Sequence, residues 1–225
     1  MKNLLPLLIA AAGLLPATAQ TTPYYIAGDF NSWNAAGNVM TQTSSGVWQV
    51  TLTGLSAGRH EFKVTEGDWS WNYPGANSWL YAPADGTITL TYDVNTYADG
   101  WSPTSQRIGE SADPGAWTAV GNFNSWNNAA GNMIALGGGL YEYQITAAGS
   151  YTWKAVVTGT WDSISWDNRS IATSDWGFTV NSGETANLYV DALKGVVKVE
   201  ILTVPEPSAL ALLGTAFALL LRRRR

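Results

Sequence analysis

Gly28-Asp29-Phe30-Asn31-Ser32-Trp33-Asn34 returns 93 residues later as Gly121-Asn122-Phe123-Asn124-Ser125-Trp126-Asn127, with one change in seven. Two such stretches in one chain indicate an internal repeat. The likeness continues with small insertions. Gly46-Val47-Trp48-Gln49-Val50 answers Gly139-Leu140-Tyr141-Glu142-Tyr143, and Phe62-Lys63 answers Trp153-Lys154. Gly67-Asp68-Trp69 answers Gly159-Thr160-Trp161, and Tyr92-Asp93 answers Val190-Asp191. Motifs of one kind in one order point to duplication of a whole domain.

Periodicity around these motifs is that of strands. Trp48, Val50 and Leu52 alternate with polar neighbours, as do Tyr141, Tyr143 and Ile145. His60, Phe62 and Val64 share one face of the next segment, while Arg59, Glu61 and Lys63 share the other. Later strands are expected over 87–92 and 185–190, and no sustained 3.6-residue period interrupts them. The expectation is an all-β protein of two tandem immunoglobulin-like antiparallel β-sandwiches. The modules would span 22–106 and 116–203, with a linker over 107–115 where Gly109, Ser111, Pro114 and Gly115 cluster. Trp48 and Tyr141 fall on apolar strand faces and are expected in the two cores.

Both chain ends read as address labels. Lys2, an apolar run from Leu4 to Leu15 and Ala17-Thr18-Ala19 form a signal peptide, with cleavage expected after residue 19. At the other end, Pro205-Glu206-Pro207 precedes an apolar run, Ser208 to Leu221, and then Arg222, Arg223, Arg224 and Arg225. Fourteen helical residues rise only about 21 Å, and the arginines would hold the short hydrophobic helix at the inner membrane face. This three-part order resembles the PEP-CTERM sorting signal. The resemblance implies transient membrane contact through segment 204–225, recognition by an exosortase-type sorting enzyme, and delivery to the cell envelope or extracellular matrix.

Composition narrows the partners. Residues 20–204 carry seven basic and sixteen acidic side chains, a net −9, which argues against nucleic acid. The chain has no cysteine, so thiolate metal sites and thiol nucleophiles are excluded. All twelve tryptophans lie between the two signals. Asp29-x-Asn31 lacks the rest of a calcium loop, and no metal or other cofactor is expected. The single histidine, His60, matches Tyr151 in the other copy and reads as a packed strand residue. No Ser-His-Asp set appears, and the copies share no Asp/Glu pair, so no enzyme activity is expected.

The order G-D-F-N-x-W-N, an aromatic strand, A-G-x-x-x-F-K-V and G-D-W resembles the early-set modules that bind starch and glycogen, including family 48 carbohydrate-binding modules. Trp69-Ser70-Trp71-Asn72-Tyr73-Pro74-Gly75 is most similar to the pullulanase-type version. The resemblance implies a sugar platform of Trp33, Lys63 and Trp69 in copy one, and Trp126, Lys154 and Trp161 in copy two. A family asparagine on the later strand is not matched, with Thr89 in copy one and Ala186 beside Asn187 in copy two. Trp71, Asn72, Tyr73 and Trp166 join the candidates for carbohydrate binding. Trp69 and Trp71, two residues apart, are expected on one side of an extended hairpin, with Lys63 at the edge of their shelf.

Sugar rings stack their C–H faces on aromatic rings while amides and charges bond the hydroxyl rim. Two readings of Trp33 and Trp126 stay open: a binding surface, or a plug closing the sandwich end. The chain reads as an exported polysaccharide-binding protein, with an α-glucan as expected ligand. The alternative is a structural or assembly component of the matrix with no direct sugar binding.

Overall fold

In a computed structural model of the protein, residues 23–204 are described. The signal peptide, the sorting residues Pro205 to Arg225 and the expected C-terminal helix lie outside the described residues. Within them no helix is long and apolar enough to cross a membrane. The architecture is all-β, with single turns of 3-10 helix at Asp29–Asn31 and Asn122–Asn124.

The first half runs β1 (Tyr25–Gly28), β2 (Asn38–Val39), β3 (Thr41–Ser44), β4 (Val47–Leu52), β5 (Gly58–Thr65), β6 (Asn72–Ala82), β7 (Ile88–Asp93) and β8 (Arg107–Glu110). They pair antiparallel into two four-stranded sheets, β2-β1-β5-β6 and β3-β4-β7-β8. Alternation decides which side is buried. Phe62 and Val64 of β5, and Ile88, Leu90 and Tyr92 of β7, turn inward. They meet Tyr24, Ile26, Trp48 and Leu80 in one core.

The second half runs β9 (Trp117–Gly121), β10 (Ile134–Gly137), β11 (Leu140–Ile145), β12 (Gly149–Val157), β13 (Ser163–Ile164), β14 (Arg169–Ser170), β15 (Trp176–Val180), β16 (Glu184–Asp191) and β17 (Val196–Thr203). One sheet is β10-β11-β16-β17, and the other is β14-β13-β12-β15 with β9 also paired to β12. Its core holds Trp117, Tyr141, Trp153, Leu188 and Val190. Trp48 and Tyr141 are buried, as their strand positions require. The Ser163-Ile164-Ser165 insertion opens the β13–β14 hairpin, which copy one lacks.

Segment 107–115 departs from the expected linker. Arg107–Glu110 is strand β8, paired to β7 and buried along its length. Gly109, which reads as a linker signal, lies inside this strand, and the strand's burial comes from the other half. Glu110 N–H donates to Leu193 O at 2.9 Å, and Ser102 and Val197 exchange backbone bonds at 2.8 and 2.7 Å. Gly195 sits against the Ile108 carbonyl so closely that a Cβ would lie 1.9 Å from its oxygen.

Side chains close the same junction. Trp79, from β6, is fully buried in the second half's core with its ring 5.9 Å from Trp117. The Arg169 guanidinium lies 3.9 Å from the Trp79 ring centroid, donates to the Ala192 carbonyl at 3.3 Å and pairs with the Glu110 carboxylate. Arg59 makes two 2.7 Å bonds to Asp162, which also accepts the Tyr81 hydroxyl. Tyr81 is pushed up to about 12 by burial and by Asp162. The halves therefore share buried charge as well as apolar surface.

Burial pushes the Glu110 carboxyl up to about 7, with Arg169 opposing the shift and Asp113 adding to it. A carboxyl that holds its proton more tightly when folded stabilises the fold while protonated. That stability is complete below about 4.5, the ordinary value, and is lost as pH rises through about 7. Denaturant unfolding across pH 4–8 is expected to show this decline, and Glu110→Gln to flatten it. Arg169→Ala at neutral pH is expected to cost about 3–5 kcal/mol by leaving Glu110 buried and unpaired. A loss below about 1 kcal/mol would show the junction to be open to water.

Candidate functional site

The repeated loop is built in both halves around one asparagine. Asn31 Oδ1 accepts the N–H groups of Gly28 and Asn34 at 3.0 and 3.2 Å, and its Nδ2 donates to Ile26 O at 2.8 Å. Asn124 Oδ1 accepts Gly121 N–H at 3.0 Å, and its Nδ2 reaches Ala119 O and Ala130 O at 3.0 and 2.6 Å. Each staple ties the loop back to the strand it leaves. Asn31 and Asn124 are thus turn formers.

The staple forces the next two residues into a left-handed conformation. Ser32 and Trp33 have φ of 56° and 58°, and Ser125 and Trp126 have 54° and 58°. A tryptophan at positive φ is uncommon and costly. Each is closed by a backbone bond, Trp33 N–H to Gly28 O at 2.8 Å and Trp126 N–H to Gly121 O at 2.9 Å. Strain of one kind, repeated at both half-buried tryptophans, marks the loop as a device for presenting an indole.

The single change in the motif has a local explanation. Asp29 accepts from Glu61 N–H at 3.1 Å and lies 2.8 Å from His60 Nδ1. Asn122 accepts from Thr152 N–H at 3.1 Å and donates to Ser150 O at 3.2 Å. Both fasten the loop to the adjacent strand. His60 Nε2 sits 2.8 Å from Ser56 O, and the Tyr151 hydroxyl donates to Ala147 O at 2.9 Å, so the two serve one structural role.

In the first half, Trp33 and Trp69 come together, with ring centroids 6.4 Å apart and planes inclined by 43°. Trp69 is 46% exposed. Its turn is set by Asp68, which accepts both the N–H and hydroxyl of Ser70 at 2.8 and 2.5 Å and is thereby held below the usual carboxylate range.

The other first-half candidates are placed differently from the expected shelf. Trp71 is half-buried, 5.7 Å from Tyr24 and 6.4 Å from Tyr92, so its ring packs on the core. The extended hairpin that would put Trp69 and Trp71 on one side is absent, because 69–71 is a bend before β6 begins. Lys63 gives its three protons to Asn72 Oδ1, Pro74 O and Gly75 O, at 2.8, 2.9 and 2.6 Å. Partial burial lowers its pKa. Lys63 and Asn72 therefore brace the loop beneath Trp69. The Tyr73 ring lies 5.9 Å from Tyr92, its hydroxyl points to Asp167 O at 3.5 Å, and burial raises its pKa.

In the second half, the Lys154 ammonium lies 5.7 Å from the Trp126 ring centroid and 3.1 Å from Asp175 Oδ1, with Thr173 O at 3.3 Å. Trp166 is 47% exposed, and its indole N–H donates to Asp175 O at 3.2 Å. Trp161 is 50% exposed, but no ring contact joins it to Trp126 among the described residues. Sequence reasoning missed Asp175, which carries no motif; only its place beside Lys154, across the β12–β15 pair, reveals it.

This is a surface of exposed indoles braced by satisfied polar groups, suited to stacking on flat, neutral, hydroxyl-rimmed rings. Among the described residues no cluster of three or more His, Asp and Glu could hold a metal.

Residues 24–107 match the Pullulanase X25 domain, and residues 203–225 match the PEP-CTERM protein-sorting motif. The pullulanase-type resemblance and the sorting signal read from the sequence are both found. Over 98 residues the chain is 31% identical to an alpha-amylase of Niallia circulans, a match covering 40% of this chain and only 7% of that protein. Among solved structures it is similar to pullulanase from Bacillus acidopullulyticus, at 14% identity over 80% of this chain and 28% of that one, TM-score 0.30. It is also similar to SusF from Bacteroides thetaiotaomicron, at 15% identity over 84% of this chain and 50% of that one, TM-score 0.35.

Exposure separates the two first-half tryptophans that the sequence grouped. Trp69→Ala is expected to leave stability within about 0.5 kcal/mol, whereas Trp71→Ala removes part of the core and costs about 2–4 kcal/mol. Thermal unfolding of the two variants checks this. Equal losses would put both rings in the core.

Proposed function

We propose that this protein is an exported, non-catalytic polysaccharide binder of the cell envelope, and that its ligand is an α-glucan of the starch or glycogen kind. Two immunoglobulin-like modules, 22–106 and 116–203, each present one aromatic platform. Trp33 and Trp69 form the first; Trp126, Trp166 and Trp161, with Lys154, form the second. The observation that carries this reading is the strained loop that holds an indole out at the same place in both modules. The Pullulanase X25 match and the alpha-amylase relative support the glucan, and the PEP-CTERM match supports export and processing by an exosortase-type enzyme.

The chemistry is that of adhesion. Each stacked ring contributes about 1 kcal/mol, so one platform alone binds weakly. Lys154 is paired with Asp175 and the protons of Lys63 are all taken up by carbonyl oxygens, so neither is a free cation for an acidic polymer. A matrix component without sugar binding remains the competing reading.

Sedimentation of the full chain with insoluble starch, cellulose, chitin and xylan tests the proposal. Retention on starch is expected, weakened roughly tenfold or more by Trp33→Ala with Trp69→Ala in the presence of Trp126→Ala. Retention on none of the four would favour the matrix-component reading. For sorting, deletion of Pro205 to Arg225 is expected to release the protein into the medium. Undiminished envelope association of the truncated chain would show that the tail is not the anchor.

A further inference from the structure

We infer that the two platforms form a single binding face, joined through the β13–β14 hairpin, that engages one linear glucan chain across both modules. This rests on the glucan-binding reading above and adds to it the length and number of chains bound. The supporting contacts lead from the segment that follows Trp69 to the second platform. Trp33 meets Trp69 at 6.4 Å. Three residues beyond Trp69, Asn72 holds Lys63, and the next residue, Tyr73, directs its hydroxyl at the Asp167 carbonyl, 3.5 Å away in the other module.

Asp167 lies on the hairpin loop beside the exposed Trp166. Its carboxylate accepts Ser174 N–H at 2.9 Å, which fixes the loop against the segment leading to Asp175. Trp166 donates to the Asp175 carbonyl at 3.2 Å, the Asp175 carboxylate meets Lys154 at 3.1 Å, and Lys154 lies over Trp126. The hairpin that copy one lacks thus meets the first module at Tyr73 and carries Trp166, an exposed ring of the second platform.

The junction makes this arrangement rigid. Trp79, Trp117, Arg169 and Glu110 are buried between the modules, and Ile171 N–H donates to Asn77 O at 3.0 Å from the end of the hairpin to β6. Two sites joined by a loose linker gain affinity only as far as the linker lets both engage. Two sites fixed in place add their contributions without that ordering cost, but only for a ligand long enough to reach both.

Calorimetric titration of the full chain in mild detergent with linear maltooligosaccharides of graded length tests this. Short chains are expected to bind weakly at two per protein. Beyond a threshold length, affinity should rise by roughly 10²-fold within a few added sugars while stoichiometry falls to one. Trp33→Ala with Trp69→Ala, which removes the first platform, is expected to leave one short chain bound per protein and to abolish the long-chain gain. Smoothly graded affinity with two long chains per protein, or a long-chain gain that survives this double substitution, would overturn the single face while leaving glucan binding intact. No binding at any length would overturn both.

Discussion

Arg169 lies between the Trp79 ring and the Glu110 carboxylate, 1% exposed at its side chain, and the relation between the two halves depends on it. A guanidinium taken out of water is costly unless its charge and its N–H groups are met. Here the ring and the carboxylate come from the first half, while the arginine and the Ala192 carbonyl come from the second. Neither half satisfies the set alone. The two halves are not beads on a string: Trp79, Arg169 and Glu110 at their shared boundary are buried.

Onto that frame the chain places the same loop twice. The physical solution is economical in residue types. One asparagine closes the turn, one side chain at Asp29 or Asn122 pins it to the neighbouring strand, and the tryptophan that follows is left at positive φ with its ring half-buried. Carboxylate and carboxamide interchange because each has an oxygen where the strand N–H points. Away from the loop the copies diverge. The first extends β6 to eleven residues and uses its outer face to meet its neighbour. The second adds the β13–β14 hairpin, which carries Arg169 into the junction.

Much of this was legible in the chain. Period-two alternation placed Trp48 and Tyr141 inward and put Phe62 and Val64 on one face, and the repeat placed the loops. Those readings succeed because strand periodicity and turn chemistry are local. The linker over 107–115 was misread because glycine and proline mark breaks in periodicity, whereas the burial of Arg107–Glu110 comes from residues 193–197. Trp71 and Lys63 were misplaced for a related reason. A two-residue offset fixes the relative facing of side chains only inside a strand, and 69–71 is a bend. A lysine on an outward face is a free donor only if no carbonyl turns back to it, and Pro74 and Gly75 do.

The sequence by itself determined that the protein is all-β, that one seven-residue loop motif occurs twice, and that a PEP-CTERM sorting motif stands at residues 203–225. These follow from composition, spacing and order, which the folded state does not alter. Only the tertiary structure decided which tryptophans are exposed, that Lys63 is a brace, and that Asp175 belongs beside Lys154. Trp33, Trp69, Trp71, Trp79 and Trp161 are chemically alike. What sets an exposed platform ring apart from one at 0% exposure is which segment of the other half comes to rest against it. No stretch of sequence around a tryptophan carries that information, because the surface that covers it is contributed by residues as many as a hundred positions away.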